Sequence, residues 1–252
     1  MSMHFHSITS RMINSILQHI TESKERGKKL LAILLDPDKV NLESIPALAQ
    51  KINKKVDFIF VGGSTVSEGV TEFLVQLLKQ HSLLPIVIFP GDHTQITNDA
   101  DAILFLSLLS GDNPEYLINQ QIKSVPVLHK SQLEIIPTGY ILINGGNESS
   151  VQRVSNTRPI ENTNVALAVN TAVAGMYMGK QLIYLEAGSG ARKPVPVSLI
   201  KKVSESLTIP LIVGGGIRTQ HQLENAFNNG ADVVVIGTAF EENNEILDTI
   251  IS

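Results

Sequence analysis

Residues 209–218 read IPLIVGGGIR, a continuous apolar run that stops at three glycines. Apolar side chains at every position, rather than at every second one, mark a strand covered on both faces, as in parallel sheets. The same form recurs in both directions along the chain. Runs at 30–35 (LLAILL), 57–61 (DFIFV), 85–89 (PIVIF), 102–106 (AILFL), 139–143 (GYILI), 181–185 (QLIYL) and 232–236 (DVVVI) join 209–213 to give eight candidate strands. Helical patterns fall at 9–26, 42–53, 68–81, 114–123, 164–179, 197–206, 220–229 and 242–251. Strands and helices in alternation over 252 residues predict an α/β chain folded as one (β/α)8 TIM barrel spanning residues 1–252. No Pro/Ser-rich linker or charge block divides it.

One link breaks the pattern. Between the third and fourth runs lies PGDHTQITNDAD (90–101), too short for a helix with two turns and opened by a Pro-Gly pair. A loop is expected where the third helix should stand. Residues 125–138 (VPVLHKSQLEIIPT) read as an irregular excursion before the fifth strand.

Composition excludes several functions. A net charge of −4 gives no global attraction to nucleic acid or an anionic membrane. The chain has no cysteine, so thiolate catalysis, disulfides and thiolate-bound zinc are excluded, and a cytoplasmic setting is expected. The first residues lack a secretory signal, and no apolar run is long enough to span a bilayer, so no stable membrane anchor is expected.

Barrel chemistry sits where strands end. Seven of the eight runs are followed by informative stretches: DPDK (36–39), GGST (62–65) and PGD (90–92) in the first half, then NGGN (144–147), EAGSGA (186–191), GGGIR (214–218) and GTAFE (237–241). Glycines let backbone N–H groups approach an anion, and the loops after strands seven and eight form the usual phosphate corner of this fold. The plainer alternative is that they only make tight turns. Ser189 and the amides beside it offer a third wall. Glu186 either accepts hydrogen bonds from ligand hydroxyls or forms a rim salt bridge; Tyr184 either faces the barrel mouth or packs in its wall. Asp36 caps the next helix or, with Ser64, binds Mg²⁺ whose other ligands a substrate phosphate supplies. Asp38 reads as structural, and Asn41 is a candidate cap. The histidines show no metal spacing: His4 and His6 lie near the start, and His93 and His129 stand apart in loops. Walker, Rossmann and G-x-S-x-G motifs are absent.

Taken in order, LLDPDK (34–39), FVGGS (60–64), FPGD (89–92), GYILINGG (139–146), YLEAGSGA (184–191), LIVGGGIR (211–218) and GADVVVIGTAFE (230–241) resemble the geranylgeranylglyceryl phosphate synthase family. Its bacterial relatives include the heptaprenylglyceryl phosphate synthases. The resemblance covers residues 28–240 and implies a barrel whose third helix is a loop. It implies a prenyltransferase that joins sn-glycerol 1-phosphate to a long prenyl diphosphate, geranylgeranyl diphosphate first, through an ether bond in phospholipid biosynthesis, with Mg²⁺. Carried over, the metal residues are Asp36 and Ser64. The glycerol phosphate contacts are Tyr184, Leu185, Glu186, Ala187, Gly188, Ser189, Gly190, Gly215, Gly216, Gly237 and Thr238. Asp36 and Glu186 carry the catalysis, Glu186 as hydroxyl binder and candidate base. Many archaeal members have Lys where this chain has Leu34, so the resemblance is to the bacterial-type branch. It implies a homo-oligomer, a dimer or a ring of dimers, and leaves prenyl length open. The competing readings are a phosphosugar isomerase or lyase on the same corner, disfavoured because strand five ends at Asn144 rather than a carboxylate, and a flavin- or phosphate-binding module.

Overall fold

The computed structural model of the protein describes residues 15–242 and residue 247. Eight strands, β1 (Leu30–Leu35), β2 (Phe58–Val61), β3 (Ile86–Ile88), β4 (Ala102–Leu108), β5 (Glu134–Leu142), β6 (Leu182–Glu186), β7 (Leu211–Gly214) and β8 (Val233–Ile236), close into a barrel in chain order. Every pairing is parallel, and β8 returns to β1 with Leu30 opposite Val233. Side chains alternate in and out. Ala32, Phe60, Val87, Leu104, Tyr140, Tyr184, Ile212 and Val235 fill the interior, while Ile33, Ile59, Ile88, Ile141, Leu185 and Val213 pack outward under the helices. Both faces are dry, which is why the strands read as unbroken apolar runs.

Helix α1 (Ile16–Glu25) precedes β1 and closes the bottom of the barrel: Ile16 and Ile20 join the interior cluster. Its first amides are held by β5, since Glu134 accepts from Ile16 N at 2.5 Å and Leu17 N at 3.1 Å. At the same end, three aspartates before strands tie neighbouring strands together. Asp57 accepts from Leu31 N, Asp101 from Ile86 N and Asp232 from Leu211 N, and each is also paired with a lysine. A carboxylate can satisfy a free strand-end N–H and remain paired with a cation, so the bottom is built for stability.

The surrounding helices are α2 (Ile45–Ile52), α3 (Val70–His81), α4 (Gln120–Leu128), α5 (Ser150–Ser155), α6 (Val165–Tyr177), α7 (Val197–Ser206), α8 (Gln220–Asn228) and a short α9 (Thr238–Glu242). After β3 there is only a 3₁₀ turn, His93–Gln95, so the loop expected in place of the third helix is present. The excursion read at 125–138 is not: α4 continues through Pro126 to Leu128, and β5 already begins at Glu134. Two prolines misled the reading. Pro126 sits near the end of its helix, where one missing N–H matters little, and Pro137 still accepts Gln181 N–H through its carbonyl. The first helix begins at Ile16. Residues 9–14 of the 9–26 pattern lie outside the described residues, as do His4 and His6. So does the 242–251 pattern, apart from Glu242 and a buried Leu247.

Candidate active site

Strand β6 delivers Tyr184 and Glu186 to the same inward-facing side, two residues apart, and both are buried. Glu186 Oε1 accepts the Gly188 N–H at 2.7 Å. Its other oxygen and the Tyr184 hydroxyl converge on the face of Gly214: a Cβ there would fall 2.8 Å from Glu186 Oε2 and 2.4 Å from Tyr184 Oη. The Tyr184 hydroxyl is buried and without a hydrogen-bond partner among the described residues. Burial raises the Glu186 pKa to about 7, and the Gly188 N–H and nearby Tyr184 hydroxyl offset it only in part. Burial, and then the Glu186 charge, push both Tyr140 and Tyr184 well above the ordinary phenol value. Glu186 makes no rim salt bridge among the described residues.

The glycine loops gather around this carboxylate. Gly215 has φ +82° and lies so close that a Cβ would meet Glu186 Oε1 at 2.3 Å and the Ala187 and Gly188 nitrogens at 2.8 Å. Thr238 Oγ1 lies 3.0 Å from Ser189 Oγ and accepts the Gly190 N–H at 3.1 Å, closing the corner between the loops after β6 and β8. Ser189, Gly190, Gly215, Gly216, Gly237 and Thr238 all line one cavity with Tyr184 and Glu186. Three other carried-over residues support that corner from behind. Leu185 and Ala187 turn their side chains into the outer core, and the amides of Ala187 and Gly188 are bonded to Gly214 O and Glu186.

Across the barrel mouth, Asp36 is buried and lines the same cavity, as does Ser64. Asp36 Oδ2 pairs with Lys39 Nζ at 2.7 Å, and its own N–H points to Glu241 Oε1 at 3.3 Å. Glu241, whose pKa burial raises, also faces Lys39 at 3.7 Å. Asp36 Oδ1 accepts from Asp38 N, whereas Asp38 itself holds the Ser67 N–H. The structural role read for Asp38 is therefore present, and Asn41 caps the turn at Leu42–Ser44. Leu34 flanks Gly237, so an apolar side chain stands beside this part of the mouth.

The sequence reading missed Lys39, Glu241, Phe89, Tyr140 and Gln95. Gln95 is buried and joins two loops, accepting from Gly91 N and donating to Gly63 O. Their common signal was position, within or just past a strand end. His93, read as isolated, also lines the cavity, with Nδ1 2.9 Å from Gln120 Oε1.

The cavity, about 330 Å³, does not end at the polar corner. It runs on past β4 toward α4 and α5, along Leu106, Leu108, Tyr116, Gln121, Val151 and Val154. The absent third helix leaves Ile96, Ile103 and Phe105 on its wall as well. Polar anion loops, a buried carboxylate and an apolar channel thus share one space.

Comparison with known proteins agrees with this layout. Residues 20–252 match the PcrB family. A geranylgeranylglyceryl phosphate synthase of Flavobacterium johnsoniae is 54% identical over 240 residues, 95% of this chain and 99% of that protein. One from the archaeon Pyrococcus abyssi is 40% identical over 236 residues, 93% of each chain. The crystal structure of (S)-3-O-geranylgeranylglyceryl phosphate synthase from Thermoplasma acidophilum, in complex with substrate sn-glycerol-1-phosphate, superposes with a TM-score of 0.88 at 31% identity. That alignment covers 94% of this chain and 96% of the other. From its sequence, barrel and cavity alike, the chain belongs to the PcrB family.

Proposed function

We propose that the protein transfers a long prenyl group, geranylgeranyl first, from its diphosphate to sn-glycerol 1-phosphate, forming an ether bond. One observation carries this reading: the glycine-lined corner around Glu186 and the apolar channel past β4 form one cavity. A small phosphate ester fits the first part and a hydrocarbon chain the second, so their reacting ends meet between Glu186 and Asp36. The relatives' names and the sn-glycerol-1-phosphate bound to the Thermoplasma enzyme support the same pairing.

In this mechanism the amides and hydroxyls around Gly190, Gly215 and Thr238 hold the phosphate. Glu186, the buried acceptor, and the unpartnered Tyr184 hydroxyl take the glycerol hydroxyls. With a pKa near neutrality, Glu186 is suited to accept the proton of the attacking hydroxyl. The donor set on the other side fits Mg²⁺: oxygen donors at Asp36 and Ser64, of which Asp36 Oδ2 holds the Lys39 ammonium that the metal would displace. Among the described residues no three His, Asp or Glu gather to hold a metal, so the diphosphate must supply further ligands, as is usual for Mg²⁺. Held by Asp36 and Ser64, Mg²⁺ would supply charge neutralisation for the departing diphosphate.

The isomerase reading loses its second acid. Asn144, at the end of β5, binds the Glu161 carboxylate and the Gly146 N–H instead. No helix among the described residues is long and apolar enough to cross a membrane. We also propose a homo-oligomer, supported by α6, which carries no charged residue and ends beside exposed Tyr177 and Met178. Light scattering tests the assembly. The transfer is tested by incubating the protein with Mg²⁺, sn-glycerol 1-phosphate and labelled prenyl diphosphates. An acid-stable ether product supports it, and its absence across the panel refutes it.

A further inference from the structure

Between the two anion-holding sides lies an aromatic cluster in which the transfer mechanism above uses only the Tyr184 hydroxyl, and none of the ring faces. Phe89 stacks on Tyr184 with ring centres 5.2 Å apart and planes 30° from parallel. Tyr140 meets Tyr184 edge-on at 5.4 Å and tilts against Phe89 at 5.8 Å. All three rings line the cavity; both tyrosines are buried, and Phe89 is the half-buried one. Its ring packs against both tyrosines and borders the cavity, the most exposed of the three.

Its place is fixed from both directions. The Phe89 carbonyl fills the space where a Cβ on Gly62 would sit, 1.9 Å away, and the next residue, Gly63, abuts Asp36 Oδ1. On the opposite side, Tyr184 brings it next to Glu186. A bond broken over Asp36 and remade near Glu186 has its carbon beside this ring.

We propose that Phe89, backed by Tyr140 and Tyr184, is the catalytic ring that stabilises positive charge developing on the allylic carbon during transfer. The proposal rests on the transferase reading. The C–O bond to diphosphate breaks with both electrons leaving on the diphosphate oxygen. The glycerol hydroxyl oxygen then bonds to that carbon, and its proton passes to Glu186. In between, the allylic carbon is cationic, and a ring face within about 6 Å attracts a cation by roughly 0.5–2 kcal/mol. A neutral ground state gains little from it, so the effect falls on the rate rather than on binding.

The test replaces Phe89 with mono-, di- and trifluorinated phenylalanines, which keep its shape while draining the ring face of electron density. Single-turnover rates are measured with prenyl diphosphate, sn-glycerol 1-phosphate and Mg²⁺, alongside the dissociation constant of each substrate. The rate is expected to fall stepwise, by about twofold to about thirtyfold across the series, with both dissociation constants unchanged. Phe89→Leu should lose at least as much as the trifluorinated ring. A flat series, or a loss confined to binding, makes Phe89 a packing wall and overturns the proposal. A wild-type protein that forms no ether product removes the transferase reading, and the ring with it. An active wild type with a flat series removes the ring alone.

Discussion

Glu186 Oε1 accepts the Gly188 N–H at 2.7 Å and stands 2.3 Å from where a Cβ on Gly215 would lie. The carboxylate is thus enclosed by backbone on one side and by a bare glycine on the other. One amide does not repay the loss of water, and its pKa rises to about 7.

The pH dependence follows from that value. Below about 7 Glu186 is protonated and can neither accept the hydroxyl proton nor attract the hydroxyls as an anion. Then kcat/KM for sn-glycerol 1-phosphate should rise about tenfold per pH unit below the pKa and level off above it. Stability runs the opposite way. Between 4.5 and 7 the folded protein keeps a proton that the unfolded chain gives up, so this group lowers stability as pH rises through the window. Glu186→Gln should therefore flatten the acid limb at low activity and stabilise the ligand-free protein at pH 8 by up to about 3 kcal/mol. Rate profiles and thermal melts of the two proteins check both.

Gly215→Val acts on the same corner by a different route. A branched residue at φ +82° is strained by about 1–2 kcal/mol, and its Cβ would overlap Glu186 Oε1. The KM for glycerol phosphate should increase by tenfold or more, while prenyl diphosphate affinity changes little. Equal losses in both affinities would mean the loop after β7 serves the whole site.

How much of this was legible in the sequence varied with the kind of interaction. The strands were, because burial on both faces leaves unbroken apolar runs such as LLAILL. So was the missing helix after β3, since PGDHTQITNDAD leaves no room for one. The start of β5 was hidden by Pro137, which local rules exclude and the pairing with β4 and β6 tolerates. Glu186 and the glycine corner stood out as short motifs. Lys39, Glu241 and Gln95 did not, because their roles depend on loops far apart in sequence meeting across the mouth. Phe89 read simply as the last apolar residue of a strand.

Asp36→Asn should leave the fold intact and abolish transfer. The amide oxygen can still accept from Asp38 N, so the loop keeps its shape, but a neutral amide is a poor Mg²⁺ ligand. The Lys39 ammonium also loses its nearest counter-charge, at 2.7 Å. Mn²⁺ can stand in for Mg²⁺, and its relaxation enhancement in the presence of prenyl diphosphate reports binding apart from turnover. Undiminished enhancement in the variant would take Asp36 out of the metal site.

Enantiomer choice should also reside at Glu186. In the proposed binding mode the phosphate is gripped by amides and hydroxyls from the loops after β6, β7 and β8, an anchor that the sn-1 and sn-3 phosphates can share. Beyond it, the two present the secondary hydroxyl in different directions. Glu186 is held by the Gly188 N–H and by the Gly214–Gly215 backbone against it, so it cannot follow the hydroxyl from one position to the other. Losing a hydrogen bond to a charged group costs about 1.5–3 kcal/mol, which sets a preference for sn-glycerol 1-phosphate of roughly tenfold to a few hundredfold. The Tyr184 hydroxyl, buried and without a partner among the described residues, adds to the penalty when the ligand oxygen is misplaced. Glu186→Gln should narrow the preference toward unity, because an amide offers one acceptor and introduces a donor. Competition between the two enantiomers, measured as a ratio of kcat/KM, reads this directly. A Gln variant that keeps the full ratio would place the selection in the phosphate loops and leave Glu186 with proton transfer alone.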